Sequence, residues 1–455
     1  MLFRSVGKCF CRVDNPELKN FQLIVDECTN YSELLNKRRL FEDGYLEKSP
    51  KDNINVKRCF LFFYEAFKTI IDDSLDSIDE LTKIRNKIID LDVIDIKATN
   101  QQESYNIFEI LNARGVDLKS HELIKNYILK YIRPKSNIDA AKLIWNDLEK
   151  TLFVDNKDVM ELFFEHYVTH RYSKPNKDNS EFRIIRGNCN KNEMSLLLDD
   201  MCQKAKIYRW FYMPDECNNV IIKGVLQFFN ERNHRQFRPV FLSLISAYNK
   251  ENINKDTLEK TMIWLKNFYF AFGLVCNMTS NTIENAIYDS AVEIETKFTS
   301  SSIDNLINKL SKHYPSYDKF NVMFKNIGYS KVVKAYATPN KKKIVQYILK
   351  CYEDFFQSNN SELTVNSLTI EHIGNDDGSD SHCRIGNLLP LSEPINNNAG
   401  SKAFLEKIDY YKSSNFITVK NFVNYYGDKV EWTHEYIEKR ADYMANLAYN
   451  DIWKL

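Results

Sequence analysis

Apolar residues recur at intervals of three and four through most of the first 350 residues, and this period commits the bulk of the chain to helices rather than strands. Turn-forming residues are confined to short gaps. Only 12 glycines and 10 prolines interrupt 455 residues, so long disordered tracts are not expected. One clear helix follows Ser120, read as its N-cap, and places Leu123, Ile124, Tyr127, Ile128 and Tyr131 on one face. Another runs from Leu258 to Phe272, and its Trp264, Phe268, Phe270 and Phe272 are read as core rather than as a platform for stacking bases. The expected fold class is mainly α, made α+β by one unit near the C-terminal end.

A chain of 455 residues exceeds one ordinary core. Polar breaks at residues 134–137, 173–180 and 357–361 divide it, and domains are expected over residues 1–135, 136–350 and 351–455. The 62 basic and 62 acidic residues cancel, so any nucleic-acid binding must rest on local patches. Runs such as Lys37-Arg38-Arg39 and Lys341-Lys342-Lys343 read, by themselves, as ordinary solvated faces. No apolar run approaches the roughly 18 to 20 residues of a membrane span. No signal-peptide core follows Met1, and the ten cysteines include no Cys-x-x-Cys pair. A reduced, cytoplasmic protein without a membrane partner is expected.

The last segment changes character. Leu368-Thr369-Ile370 and Ile385 to Leu391 are short apolar runs separated by the polar stretch Gly374 to Ser381, and helical spacing returns after Asn398-Ala399-Gly400. The implied order is strand, loop, strand, helix, with Glu371-His372 ending the first strand, Asn387 in the second and Asn396 just before the helix. This is the arrangement of an HNH, or ββα-metal, nuclease. Hydrolysing a phosphodiester needs a base to activate water and a divalent cation to neutralise developing charge. In this reading His372 is the base, because imidazole accepts a proton near neutral pH. Glu371 points to the opposite side of the strand and, with Asn396, ligates Mg²⁺ or Mn²⁺ through oxygen. Asn387 bonds across the hairpin and orients the histidine. His382 is read as a solvent-facing loop residue.

These residues carry a resemblance. Thr369-Ile370-Glu371-His372-Ile373, Arg384-Ile385-Gly386-Asn387-Leu388, Leu391, Asn396 and Lys407 resemble the C-terminal HNH domain of GmrSD-type modification-dependent restriction endonucleases. The resemblance continues through Tyr411, Ser414, Trp432-Thr433, Ile437, Arg440 and Trp453. Ile107-Phe108-Glu109-Ile110-Leu111-Asn112-Ala113-Arg114-Gly115, then Leu118 and Leu123-Ile124-Lys125-Asn126, look like the family's N-terminal sensor domain. Around that glycine turn Asn112, Arg114 and Lys125 form a polar trio, open to two readings: a nucleotide- or phosphate-sensing grip, or helix capping.

The sensor domain of the family opens with an Asp-Gly-Gln-Gln-Arg motif linked to nucleotide hydrolysis, which this sequence lacks. Residues 1–135 are therefore expected to be a partial sensor domain, and the missing motif argues against NTP as a cofactor. Gly374-Asn375 stands where the family usually has proline, and Ser401 where it has a second asparagine. Asn396 and Asn397 both remain candidates to face the metal. The resemblance implies a restriction or phage-defence endonuclease cutting modified DNA, with a separate N-terminal subunit or a second copy as partner. The alternatives are a non-cleaving DNA-binding or regulatory subunit of a split system, and a helical scaffold with a degenerate nuclease fold.

Overall fold

A computed structural model describes residues 76–92, 119–132, 140–357 and 368–455, with a few more between 62 and 72. The chain divides into a unit of residues 1–104 and a larger one of residues 105–455. In the first, helix α1 (Ser77–Ile89) is capped by Asp76, whose carboxylate accepts from the main-chain N–H groups of Ile78 and Asp79. Asn112 and Arg114, with the rest of the glycine-turn motif, lie outside the described residues.

The larger unit is overwhelmingly helical, as the three-and-four spacing requires. Its helices are α2 (Ser120–Tyr131), α3 (Ala140–Thr151), α4 (Met160–Arg171), α5 (Glu181–Asn188), α6 (Met194–Trp210), α7 (Val220–Glu231), α8 (Arg238–Asn249) and α9 (Lys255–Tyr269). There follow α10 (Glu284–Thr296), α11 (Ser302–Ser311), α12 (Tyr317–Lys325) and α13 (Pro339–Gln357). A two-residue ladder, β1 (Phe153–Val154) with β2 (Lys157–Asp158), turns the chain between α3 and α4 through Asp155 and Asn156, both at positive φ. Helix α8 is the axis of this body: every residue from Arg238 to Ala247 is buried, and α4, α6 and α10 pack around it.

Helix α2 begins one residue earlier than Ser120 as a cap would require. Lys119 holds the cap position without a side-chain capping bond, and the Ser120 hydroxyl donates to Glu181 Oε2 at 2.6 Å, tying α2 to α5. Phe268, Phe270 and Phe272 are completely buried, and Trp264 stacks on Phe268 with ring centroids 5.5 Å apart. They are core. Phe270 also stacks on Trp453 at 3.8 Å, and Asn267 Nδ2 donates to Lys454 O, so the chain's last residues are built into the helical body.

The C-terminal elements are β3 (Thr369–His372), the short helix α14 (Asp380–Cys383), β4 (Leu388–Leu391), α15 (Glu393–Ala399), α16 (Phe404–Tyr411), α17 (Ile417–Tyr426) and α18 (His434–Leu447). Strands β3 and β4 pair antiparallel, and α13, α15 and α17 cover them. A second, smaller core forms here from Leu389, Leu391, Ile408, Tyr411, Phe422 and Trp432 among others. The larger core continues from Ile124 to Trp453 and takes in Ile385 and Leu388, so position 350/351 falls inside α13, which packs on both strands. Glu353 of α13 is fully buried and accepts from the N–H groups of Ile417 and Thr418, where a carboxylate complements the N-terminal end of α17.

Candidate active site

The ladder pairs Glu371 with Leu389 and His372 with Leu388, and strand alternation sends the Glu371 and His372 side chains to opposite faces. On one face, His372 Nε2 lies 2.9 Å from the carbonyl oxygen of Tyr329. A carbonyl only accepts, so Nε2 bears the proton and Nδ1 is left as the basic nitrogen of the neutral ring. Burial lowers the pKa of His372 below its ordinary value, outweighing the Tyr329 carbonyl and the Asp376 carboxylate, which raise it. The ring is neutral and proton-accepting at physiological pH.

Tyr329 is held in turn. Asp376 accepts from Ser330 Oγ at 2.7 Å and from the Lys331 N–H at 2.8 Å, while Ser330 Oγ accepts from the N–H groups of Val332 and Val333. On the other side, Tyr329 N donates to Cys383 O and Ile385 N donates to Ile327 O. Residues 327–333 thus form a strap across the loop that follows His372. Nothing in the sequence marked this strap, which sits 43 positions before its histidine. Only the acid at 376, shortly after Gly374-Asn375, offered a signal that the loop is anchored.

On the opposite face, Glu371 is nearly inaccessible. Its Oε1 accepts from Tyr411 Oη at 2.7 Å and pairs with Lys407 Nζ at 2.9 Å, and Lys407 also donates to the main-chain oxygen of His372 at 2.6 Å. Asn396 lies within the short helix α15, ahead of α16, and its Nδ2 donates to Thr369 Oγ1 and Ile370 O. Because Thr369 and Glu371 share a strand face, Asn396 belongs to the Glu371 side. Asn397 is exposed, so Asn396 is the one that meets the hairpin.

Asn387 departs from the expected position. It occupies a 3₁₀ turn, Ile385–Asn387, ahead of β4, because the backbone there is engaged elsewhere: Arg440 donates to the oxygens of Ile385 and Gly386, and residue 384 bridges to Gly328. Asn387 makes no hydrogen bond to the imidazole. Its Oδ1 accepts from Gly374 N and Trp432 Nε1, and its Nδ2 donates to Gly374 O and His382 O. This fully buried amide clamps both ends of the loop instead of orienting the histidine directly. A Cβ on Gly374 would crowd His382 Nε2 at 3.0 Å, and one on Gly386 would run into the Ile437 backbone, so both glycines serve close approach. His382 is half-buried, its Nδ1 lying 3.0 Å from Asp377 Oδ1.

Two oxygens suit a hard cation in this arrangement. Both partners of Glu371 engage Oε1, which leaves Oε2, and the amide nitrogen of Asn396 faces the strand, which leaves Oδ1. Two protein oxygens with water completing the shell are an ordinary donor set for Mg²⁺. Among the described residues no group of three or more His, Cys, Asp or Glu side chains forms a metal cluster, and Lys407 offsets part of the charge on Glu371. Lys125 lies far from this chemistry in sequence and is committed to Glu149 at 2.7 Å.

Several residues far along the chain converge on this frame: Lys407 and Tyr411 on Glu371, Trp432 on Asn387, and Arg440 on the 385–386 turn. Among the described residues no helix is long and apolar enough to cross a membrane. No curated protein matches the chain. Residues 314–447 match the family described as GmrSD restriction endonucleases, C-terminal domain, and the match begins ahead of the strap that holds His372.

Proposed function

We propose, from the match of residues 314–447 to the C-terminal domain of GmrSD restriction endonucleases, that this chain is a metal-dependent HNH-type endonuclease that hydrolyses the phosphodiester backbone of modified DNA in a restriction or phage-defence system. The observation that carries the reading is the Tyr329 carbonyl on His372 Nε2, which fixes the tautomer a general base needs. His372 Nδ1 takes a proton from water as the water oxygen attacks phosphorus and the bond from phosphorus to the departing sugar oxygen opens. Asn387 holds the loop bearing Gly374 and His382, which keeps the strap and the imidazole in register. Lys407 and Tyr411 fix Glu371 so that, with Asn396, it would hold Mg²⁺ or Mn²⁺; the bound cation supplies charge neutralisation at the phosphate and leaving oxygen.

The ion pair between Lys407 and Glu371 favours one competing reading, a non-cleaving DNA-binding subunit whose acidic ligand has become structural. The full chain incubated with Mg²⁺ or Mn²⁺ on modified phage DNA and on unmodified DNA separates the two. Our reading expects cleavage of the modified DNA that EDTA abolishes. Retention of DNA without any cutting in either metal would favour the competing one.

A further inference from the structure

Residues 326–343 contain five lysines, at 331, 334, 341, 342 and 343, and no acidic residue, in a chain whose charges cancel overall. The stretch runs from the strap to the first turn of α13. Lys331 is two residues beyond the carbonyl that bonds His372, and its own N–H is held by Asp376. Lys331, Lys334, Lys342 and Lys343 are exposed, while Lys341 Nζ rests over the Tyr336 ring at 4.5 Å. Among the described residues none of the five forms an ion pair, as is also true of Lys350, Lys402 and Lys420, whereas Lys325, Lys407, Lys412, Lys429 and Lys439 of the same region are each matched with a carboxylate. The acids nearest the strap are engaged: Asp376 by Ser330 and Lys331 N, Asp377 by His382, Asp380 by Arg384. Lys341 and Lys342 in the first turn of α13, with Lys343 just after it, also sit at the helix end where positive charge is disfavoured, an arrangement that an anionic partner would relieve.

We infer that Lys331, Lys334 and Lys341 to Lys343 form the track that binds the sugar-phosphate backbone of duplex DNA and leads it to His372. The inference rests on the nuclease reading for the identity of the substrate, but the binding it describes is measurable without cleavage. Contacts of this kind carry no sequence information; they position the duplex and make its affinity depend on salt.

The test uses the full chain carrying His372→Ala and a fluorescent 30-base-pair duplex, titrated over a range of salt concentrations. Quadruple Lys→Gln substitution at 331, 334, 342 and 343 is compared with the same charge change at Lys177, Lys206, Lys297 and Lys312, four exposed lysines of the helical body. The track variant is expected to flatten the slope of log affinity against log salt by about 0.9 for each lost phosphate contact, and to weaken binding at least about tenfold at moderate salt. Matching thermal unfolding of the two variants confirms that each is folded. Equal losses in both overturn the track. Binding lost only in the track variant, in a protein whose His372 form cuts no DNA, upholds the track and removes the nuclease reading. Absence of DNA binding in the parent protein removes both.

Discussion

Lys204 in the helical body and Lys407 behind the hairpin are both almost wholly buried, at 2% and 1% side-chain exposure, yet their surroundings differ in kind. Lys204 Nζ meets Asp200 at 3.1 Å, Ser246 Oγ at 2.8 Å and Glu295 at 3.4 Å. Each of those carboxylates has another cation, Arg171 at 3.1 Å from Asp200 and Lys250 at 2.7 Å from Glu295. The charge is shared among four helices and the turn after α8. Lys407 has one carboxylate, Glu371, and its remaining acceptor is the main chain of His372. In the body, buried charge binds helices together through a redundant network. At the hairpin, one ion pair without a second cation, joined by the Tyr411 hydroxyl, fixes two consecutive residues of the candidate site.

The largest expected effect follows from that lack of redundancy. Lys407→Met strands the Glu371 carboxylate in the interior and should cost about 3 to 5 kcal/mol in denaturant unfolding, with Glu371→Gln/Lys407→Met recovering most of the loss. A loss under about 1 kcal/mol would show that the pair is not the isolated unit described. Acid probes the other side of the comparison. Burial pushes His166 and His170 of α4 down to about 3, whereas in the unfolded chain they protonate near 6.5. Between those values the unfolded chain binds more protons, so stability falls as pH falls. From pH 5.5 to 4.5 the two should together remove about 3 kcal/mol, measured as a shift in unfolding midpoint and abolished in a His166→Gln/His170→Gln variant.

Smaller effects sharpen the contrast. Gly386→Ala forces a methyl against the backbone of α18 and should cost about 1 to 3 kcal/mol, with added hydrogen exchange confined to the 385–391 segment. Lys204→Met should cost only about 1 to 2 kcal/mol, the scale of a few lost hydrogen bonds, because Arg171 and Lys250 remain. A larger loss than for Lys407→Met would reverse the comparison.

Much of the helical body was legible, because its cores are built from side chains at helical spacing and its aromatics are too large to leave exposed. Phe268, Phe270 and Phe272 needed no partner to be recognised as core. In the hairpin, Glu371 and His372 were legible as a pair, since a strand must send adjacent residues to opposite faces. The role of Asn387 was not, because Arg440 and the Ile327 strap draw its backbone out of the ladder, and neither contact leaves a periodic trace. The Tyr329 carbonyl was invisible for a simpler reason: any residue has one, and only the fold brings this one to His372. The partner of Glu371 was hidden likewise: Lys407 lies 36 positions further on, and its side chain is buried against the usual tendency of lysine.

The most direct test of the account is the single-turnover rate of DNA cleavage by His372→Ala beside the unaltered chain, across pH 5 to 9 in Mg²⁺. General-base catalysis predicts a loss of about 10²-fold or more in the variant. It further predicts that the unaltered chain's rate falls on the acid side, below the ordinary histidine value, because burial lowers the pKa of His372. Cleavage by the variant at an undiminished rate would contradict the assignment of His372 as the base.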